Sequence, residues 1–195
     1  MKFDIVLAGV GGQGVLSLSA IIASGAMKEG LFVKQSEVHG MAQRGGAVLA
    51  NLRLSDKPIA SDLIPKGNAS MILSMEPLES LRYLEFLSPS GALITSITPV
   101  VNIPDYPNLE ELLGKIRTIP GAILVDSDHI AKAAGSARAA NMVMVGAASH
   151  LLPVKVDTME HYIEGVFRKK GDQVVAANLK AFRAGREVAT KERHA

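Results

Sequence analysis

The chain has 195 residues, 48% of them hydrophobic and 21% charged, with a formal charge of +2, a balance that excludes a disordered or collagen-like polypeptide. At this length one domain is expected, and folding should bury roughly 70% of the surface that the unfolded chain exposes. There is no cysteine, which removes disulfides, thiolate catalysis and cysteine-held zinc or iron–sulfur centres from this chain.

In chain order, residues 3–8 form a short apolar run ending at glycines, the mark of a buried strand. Gly9-Val10-Gly11-Gly12-Gln13-Gly14 follows as a turn. Residues 15–28 are apolar nearly all round and predict a helix covered on several sides, with Gly30 placed to stop it. Residues 31–36 read as a second strand, so the unit is βαβ, with parallel strands and a right-handed crossover. Residues 37–46 read as a loop. Residues 47–54 alternate apolar and polar and predict a half-exposed strand, and residues 59–67 a surface excursion. Residues 69–75 read as another buried strand.

Glu76-Pro77 opens a helix to about Leu87, with proline in the first turn, where its missing N–H costs nothing. A turn at 89–91, a strand over 92–97 and an irregular proline-rich segment over 98–107 come next. A helix over 108–116, a strand over 122–126 and a helix over 127–134 follow. Asn141 is expected to cap a very apolar helix that stops before Pro153. Asp157-x-x-Glu160 has the form of a capping box opening a helix to about Lys169, and Asp172 can cap a last helix to about Val188. The pattern is α/β: one domain over 1–195, a Rossmann-like open, mostly parallel sheet with flanking helices (about 3–153) and a C-terminal helical segment (about 156–188).

Charge is unevenly spread. From Arg168 onward eight Lys/Arg stand against three acids, a local +5 that leaves −3 on residues 1–167. Such a run usually marks a solvated helix face. With 4% aromatic residues and no Trp, a stacking platform for single-stranded nucleic acid is not expected. No signal segment or membrane span is read, and a cytoplasmic location is expected.

Gly9-x-Gly11-x-x-Gly14 between a strand and a helix fits a nucleotide fingerprint. A helix start leaves N–H groups unpaired and carries about half a positive charge, and glycines let an anion come close. Glu37, 23 residues after Gly14, stands where a dinucleotide site wants an acid, so an NAD-binding protein is one reading. A turn that binds nothing, in a scaffold, is another.

Glu37-Val38-His39-Gly40-Met41-Ala42-Gln43-Arg44-Gly45-Gly46 lies at the carboxyl end of the second strand, beside the glycine turn. Arg44 offers a planar cationic fork suited to carboxylate or phosphate. His39 can titrate near neutrality and move protons, and Gly45 and Gly46 allow a tight bend or close backbone approach. His39 and Arg44 are the catalytic candidates. Gly9, Gly11, Gly12, Gln13, Gly14, Arg44, Gly45 and Gly46 are the candidates for holding a ligand.

These two motifs together resemble the gamma-type subunit of the 2-oxoacid:ferredoxin oxidoreductases. His39-Gly40 and Gln43 are similar to the indolepyruvate branch of that family, whose corresponding chain is a beta subunit, rather than to its pyruvate branch. Ile64-Pro65-Lys66-Gly67, Met75-Glu76-Pro77-Leu78-Glu79 and Asn141-Met142-Val143-Met144 match it too, so the resemblance spans roughly residues 3–190. It implies oxidative decarboxylation of an arylpyruvate such as indolepyruvate, acylation of coenzyme A and transfer of two electrons to ferredoxin. It also implies that thiamine diphosphate with Mg and the 4Fe-4S clusters belong to a larger alpha subunit. This chain would then hold no cofactor alone, meet coenzyme A at most at an interface, reach ferredoxin through the complex, and be inactive alone. A pyruvate or branched-chain 2-oxoacid is the alternative substrate. No partner in membrane or nucleic acid is expected.

Glu76 ends a strand and is best read as serving its own helix start. Asp126 and Asp128 read as capping residues rather than a metal pair. His150, His161 and His194 have no ligand partners by spacing, and His129, beside Asp128, reads as a helix-surface residue, so no metal site is expected.

Overall fold

The structure is a computed structural model that describes residues 1–39 and 45–192. Its strands are β1 (Lys2–Val10), β2 (Phe32–His39), β3 (Ala47–Ser55), β4 (Ala69–Ser74), β5 (Leu87–Ser96) and β6 (Ile123–Val125). Its helices are α1 (Val15–Lys28), α2 (Pro77–Arg82), α3 (Leu109–Arg117), α4 (Ser127–Ala133), α5 (Ala140–Ala148), α6 (Val156–Phe167) and α7 (Asp172–Glu192). The strands make one sheet in the order β2-β3-β1-β4-β5-β6. Pairs β1/β4, β4/β5 and β5/β6 are parallel, as expected for an open α/β sheet. Helices cover both faces. Ile5, Leu7, Leu52, Met71 and Leu73 pack with α1, α5, α6 and α7. Val6, Ile72 and Leu93 pack with α2 and α3 on the other side.

The expected βαβ unit is altered. β1 and β2 run in the same direction, but β3 lies between them, antiparallel to both. The hairpin partner goes inward because it is the more apolar strand, with Ala50, Leu52 and Leu54 fully buried. β2, with Lys34, Gln35, Ser36 and Glu37, suits an edge, where charged residues discourage stray pairing. β2 also runs three residues past its expected end, because its register with β3 continues to His39 opposite Val48.

β3 is not half-exposed. Its polar residues Asn51 and Arg53 are 5% and 8% exposed. Arg53 lies opposite Asp4 in the β1/β3 register, and its Nε and Nη2 donate to the Asp4 carboxylate at 2.9 and 3.1 Å. Nη1 donates to the carbonyls of Ser61 and Leu63, which straps the 59–67 excursion over the pair.

Further boundaries differ. α2 stops at Arg82, and β5 starts at Leu87 instead of residue 92, its early pairing with Ala69 separated from the rest by a register shift. Gly91 permits this approach, since a Cβ there would sit 2.7 Å from the carbonyl oxygen of Ala69. Asp157 does not cap α6. Its N-cap is Lys155, whose N–H donates to Glu29 Oε1 at 2.8 Å. Glu160 instead accepts two bonds from Arg183 on α7, at 2.8 and 2.7 Å, which hold its carboxyl below the usual glutamate value.

α5 and α7 cross at backbone contact. A Cβ on Gly146 would lie 1.9 Å from the carbonyl oxygen of Phe182, and one on Gly185 2.0 Å from that of Val143. None of the described helices is long and apolar enough to cross a membrane.

Candidate functional site

The parallel strands β1, β4, β5 and β6 end on one edge of the sheet, where open α/β sheets place their ligands. There Gly12 and Gln13 after β1, Met75 after β4, the 98–100 segment after β5, Asp128, Arg138 and Asn141 line a cleft of about 600 Å³.

The glycine turn divides into bracing and open positions. The Gly11 N–H donates to the Gly46 carbonyl at 2.8 Å and the Gly45 N–H to the Gly11 carbonyl at 3.3 Å, which carries the β1/β3 ladder into the turn. Gln13 folds back: its Oε1 accepts from the Val10 N–H at 2.7 Å and its Nε2 donates to the Met75 carbonyl at 2.9 Å. Gly9 permits close packing, since a Cβ there would meet Val15 Cγ2 at 2.8 Å. Gly9, Gly11 and Gln13 therefore shape the turn. Gly12 faces open space, and Gly14, at φ 81°, is the N-cap of α1 with no side chain capping it.

Gly45 and Gly46 tie the base of the hairpin to this turn, and Asn102 Nδ2 adds a bond to the Gly45 carbonyl at 2.6 Å. His39 closes β2 on the same sheet edge. Arg44 and His194 lie outside the described residues.

The strand order speaks against dinucleotide binding. With β3 interposed, β2 stands two strand spacings from β1, about 10 Å. Glu37 is set in β2 opposite Ala50, away from the β1 turn that a ribose held between adjacent strands requires.

Several acids do what their positions predict. Glu76, 1% exposed, caps α2 through Oε2, which accepts from the Glu79 N–H at 2.8 Å. Its Oε1 also accepts from the Val100 N–H and from the Tyr106 hydroxyl, so it anchors the cleft wall. Burial, and then this bond, push the Tyr106 phenol above its ordinary value. Asp126 caps α4, accepting from the His129 N–H at 3.1 Å. Among the described residues no cluster of His, Cys, Asp or Glu gathers as a metal site.

Glu79 is 4% exposed and its Oε2 has no partner among the described residues. Burial raises its carboxyl above 4.5 despite the pull of Arg82. The folded state thus binds this proton more tightly than the unfolded chain, and stability falls as pH rises through the folded value. Relative to Glu79→Gln, the wild-type chain should lose stability as pH rises above 4.5, read as a widening Tm difference between the two.

Asn141 does not cap α5. The N-cap is Ala139, with no side-chain bond, and Asn141 sits in the first turn, where its Nδ2 is 2.8 Å from the place of a Cβ on Gly14. Arg138 was not singled out by sequence. Its signal in the sequence is an arginine standing just before a strongly apolar run.

The chain matches the family model of pyruvate ferredoxin/flavodoxin oxidoreductases over residues 4–188. It is 38% identical over 194 residues to the indolepyruvate oxidoreductase subunit IorB of Archaeoglobus fulgidus, covering 95% of this chain and 94% of that one. To the protein of the same name from Methanothermobacter thermautotrophicus it is 35% identical, covering 95% and 96%. Among solved structures, the gamma subunit of a keto/oxoacid ferredoxin oxidoreductase from Geobacter sulfurreducens superposes with a TM-score of 0.71 at 25% identity, covering 97% of this chain and 99% of that one.

Proposed function

Because the chain belongs to the pyruvate ferredoxin/flavodoxin oxidoreductase family, we propose that it is the small subunit of a cytoplasmic indolepyruvate-type 2-oxoacid:ferredoxin oxidoreductase. The observation that carries this reading is end-to-end similarity to indolepyruvate oxidoreductase subunits, over 95% of the chain. The reaction converts an aryl 2-oxoacid, coenzyme A and two oxidised ferredoxins into acyl-coenzyme A, carbon dioxide, a proton and two reduced ferredoxins.

The residues of this chain do not fit the redox groups of such a complex, since it has no cysteine to ligate a cluster. Thiamine diphosphate, with its Mg, and the 4Fe-4S clusters belong to a larger alpha subunit, where the thiamine supplies the carbanion-stabilising chemistry. The cleft at the sheet edge is what this chain contributes. The α1 N-terminus beyond Gly14, Arg138 and the hairpin cation Arg44 supply positive charge for a reactant anion, either the 2-oxoacid carboxylate or a coenzyme A phosphate. Fixing that anion orients the reactant, and orientation is worth several kcal/mol of barrier. Gln13 and Glu76 hold the two walls in place.

Reconstitution tests the proposal. The chain alone should reduce no ferredoxin with any 2-oxoacid, and activity should appear when the thiamine- and cluster-bearing subunit is added. Oxidation of a keto acid by the purified chain alone would overturn it. In the assembled complex, Arg44→Ala should raise KM for the 2-oxoacid or for coenzyme A by at least tenfold, and unchanged kinetics for both would remove Arg44 from the site.

A further inference from the structure

Residues 98–107, which follow β5, hold no helix or strand and include Pro99, Pro104 and Pro107, yet the segment is firmly tied down. One carboxylate oxygen grips it at two points. Glu76, 1% exposed, accepts through Oε1 from the Val100 N–H at 3.3 Å and from the Tyr106 hydroxyl. Between these grips Asn102 Nδ2 donates to the Gly45 carbonyl at 2.6 Å. Residues 101–105 are thereby held up as an exposed tip. Val101 is 71% exposed, more than any other large apolar residue described, and Ile103 is 39% exposed. Of this segment only residues 98–100 line the sheet-edge cleft, so the tip stands at its rim and outside it. Single exposed aliphatic residues are ordinary. Fixing two of them on an irregular segment, through a buried acid, is not. It buries nothing within this chain, and it removes in advance the ordering cost of binding.

Resting on the reading of this chain as the small subunit of a two-chain enzyme, we propose that the 98–107 segment is a preorganised docking element for the larger, thiamine- and cluster-bearing subunit. Val101 and Ile103 enter an apolar recess of that subunit. Asp105, exposed and without an ion-pair partner among the described residues, meets a basic residue at the rim of the recess. The choice of partner follows from the chemistry. This chain has no cysteine to hold a cluster, and the thiamine belongs to the other chain. A reactant on this chain meets its cofactor only where that other chain closes over the cleft mouth, and a tip at the rim then lies inside the contact. A second copy of this chain would cover the mouth and bring no cofactor. Glu76 and Tyr106 are positioning residues, because they set the shape of the tip from beneath.

The test titrates the whole chain into the purified larger subunit by calorimetry. For Val101→Ser/Ile103→Ser the Kd of association should rise about tenfold or more. The Tm of the chain alone should stay at the wild-type value, since both side chains are exposed. When enough of this variant is added to saturate the larger subunit, kcat and KM should match wild type, because the tip does not line the cleft. Tyr106→Phe removes one grip of Glu76 and should weaken association by a smaller factor. It should add nothing in the Val101→Ser/Ile103→Ser background, a coupling that a general loss of stability would not produce. Met27→Ser/Val166→Ser, at exposed apolar positions on α1 and α6, should leave the Kd unmoved. A Kd for the tip variant within about twofold of wild type would overturn the inference and leave the proposed function standing. An equal or larger loss from the Met27 and Val166 pair would do the same. Association that depends on the tip, in a complex that never reduces ferredoxin, would overturn the proposed function and leave the docking element. Failure of the wild-type chain to bind the larger subunit would overturn both.

Discussion

Gly146→Ala is expected to destabilise the chain by about 3 kcal/mol or more, beyond the usual range for overpacking a core. The reason is what the added methyl meets. At Gly146 it would fall 1.9 Å from the carbonyl oxygen of Phe182 and 3.0 Å from the Arg186 backbone nitrogen. Neither is the end of a flexible side chain, so α5 and α7 would have to separate along their crossing. Gly185→Ala should do the same from the other side, where Val143 presents its backbone at 2.0 Å. Alanine is ordinarily the better helix residue, by about 1 kcal/mol. Gly114→Ala and Gly165→Ala, at helical positions with no neighbour within 4 Å, should therefore stabilise or leave stability unchanged. Urea unfolding of the four variants reads both signs. A Gly146→Ala chain as stable as wild type would mean that the helices are not in backbone contact.

Asp4→Ala is expected to cost about 3–5 kcal/mol, the usual penalty for removing one partner of a buried ion pair. Asp4 is 1% exposed and takes both near nitrogens of Arg53, with Lys2 Nζ at 3.0 Å from its other side. Without it the Arg53 cation remains buried, with the carbonyls of Ser61 and Leu63 as partners on Nη1 but none among the described residues for Nε and Nη2. The penalty belongs to the stranded charge more than to the pair. The double variant Asp4→Leu/Arg53→Met should thus be more stable than Asp4→Ala, and thermal melts would show it. Equal or greater loss in the double variant would place the stabilisation in the pair itself.

Local features were legible in the sequence because local physics makes them. The limits of α1 follow from an apolar run that begins after Gly14 and ends before Gly30, and the structure has it at Val15–Lys28. Glu76 and Asp126 cap helices because an acid three residues ahead of an N–H has that bond within reach. What is decided between distant segments was not legible. Alternation in β3 told which side chains share a face but not that the polar face would be covered, because the cover is the 59–67 strap and the buried partner is Asp4, on another strand. The place of β3 between β1 and β2 follows from which hairpin strand gains more by burial, a comparison across the whole sheet. At the site, an asparagine before an apolar run fits a cap and a place inside the first turn equally well. Only the position of Gly14 against it separates the two.

One nine-residue helix joins two of these features. The first turn of α5 carries Asn141 to the wall of the sheet-edge cleft, while its other end is pinned to α7 at Gly146. About 8 Å of rigid helix connects them. The C-terminal helix is thus a foundation for a cleft that none of its described residues lines, and trimming the chain before α7, a tempting way to shorten a small subunit, would unseat the cleft wall first.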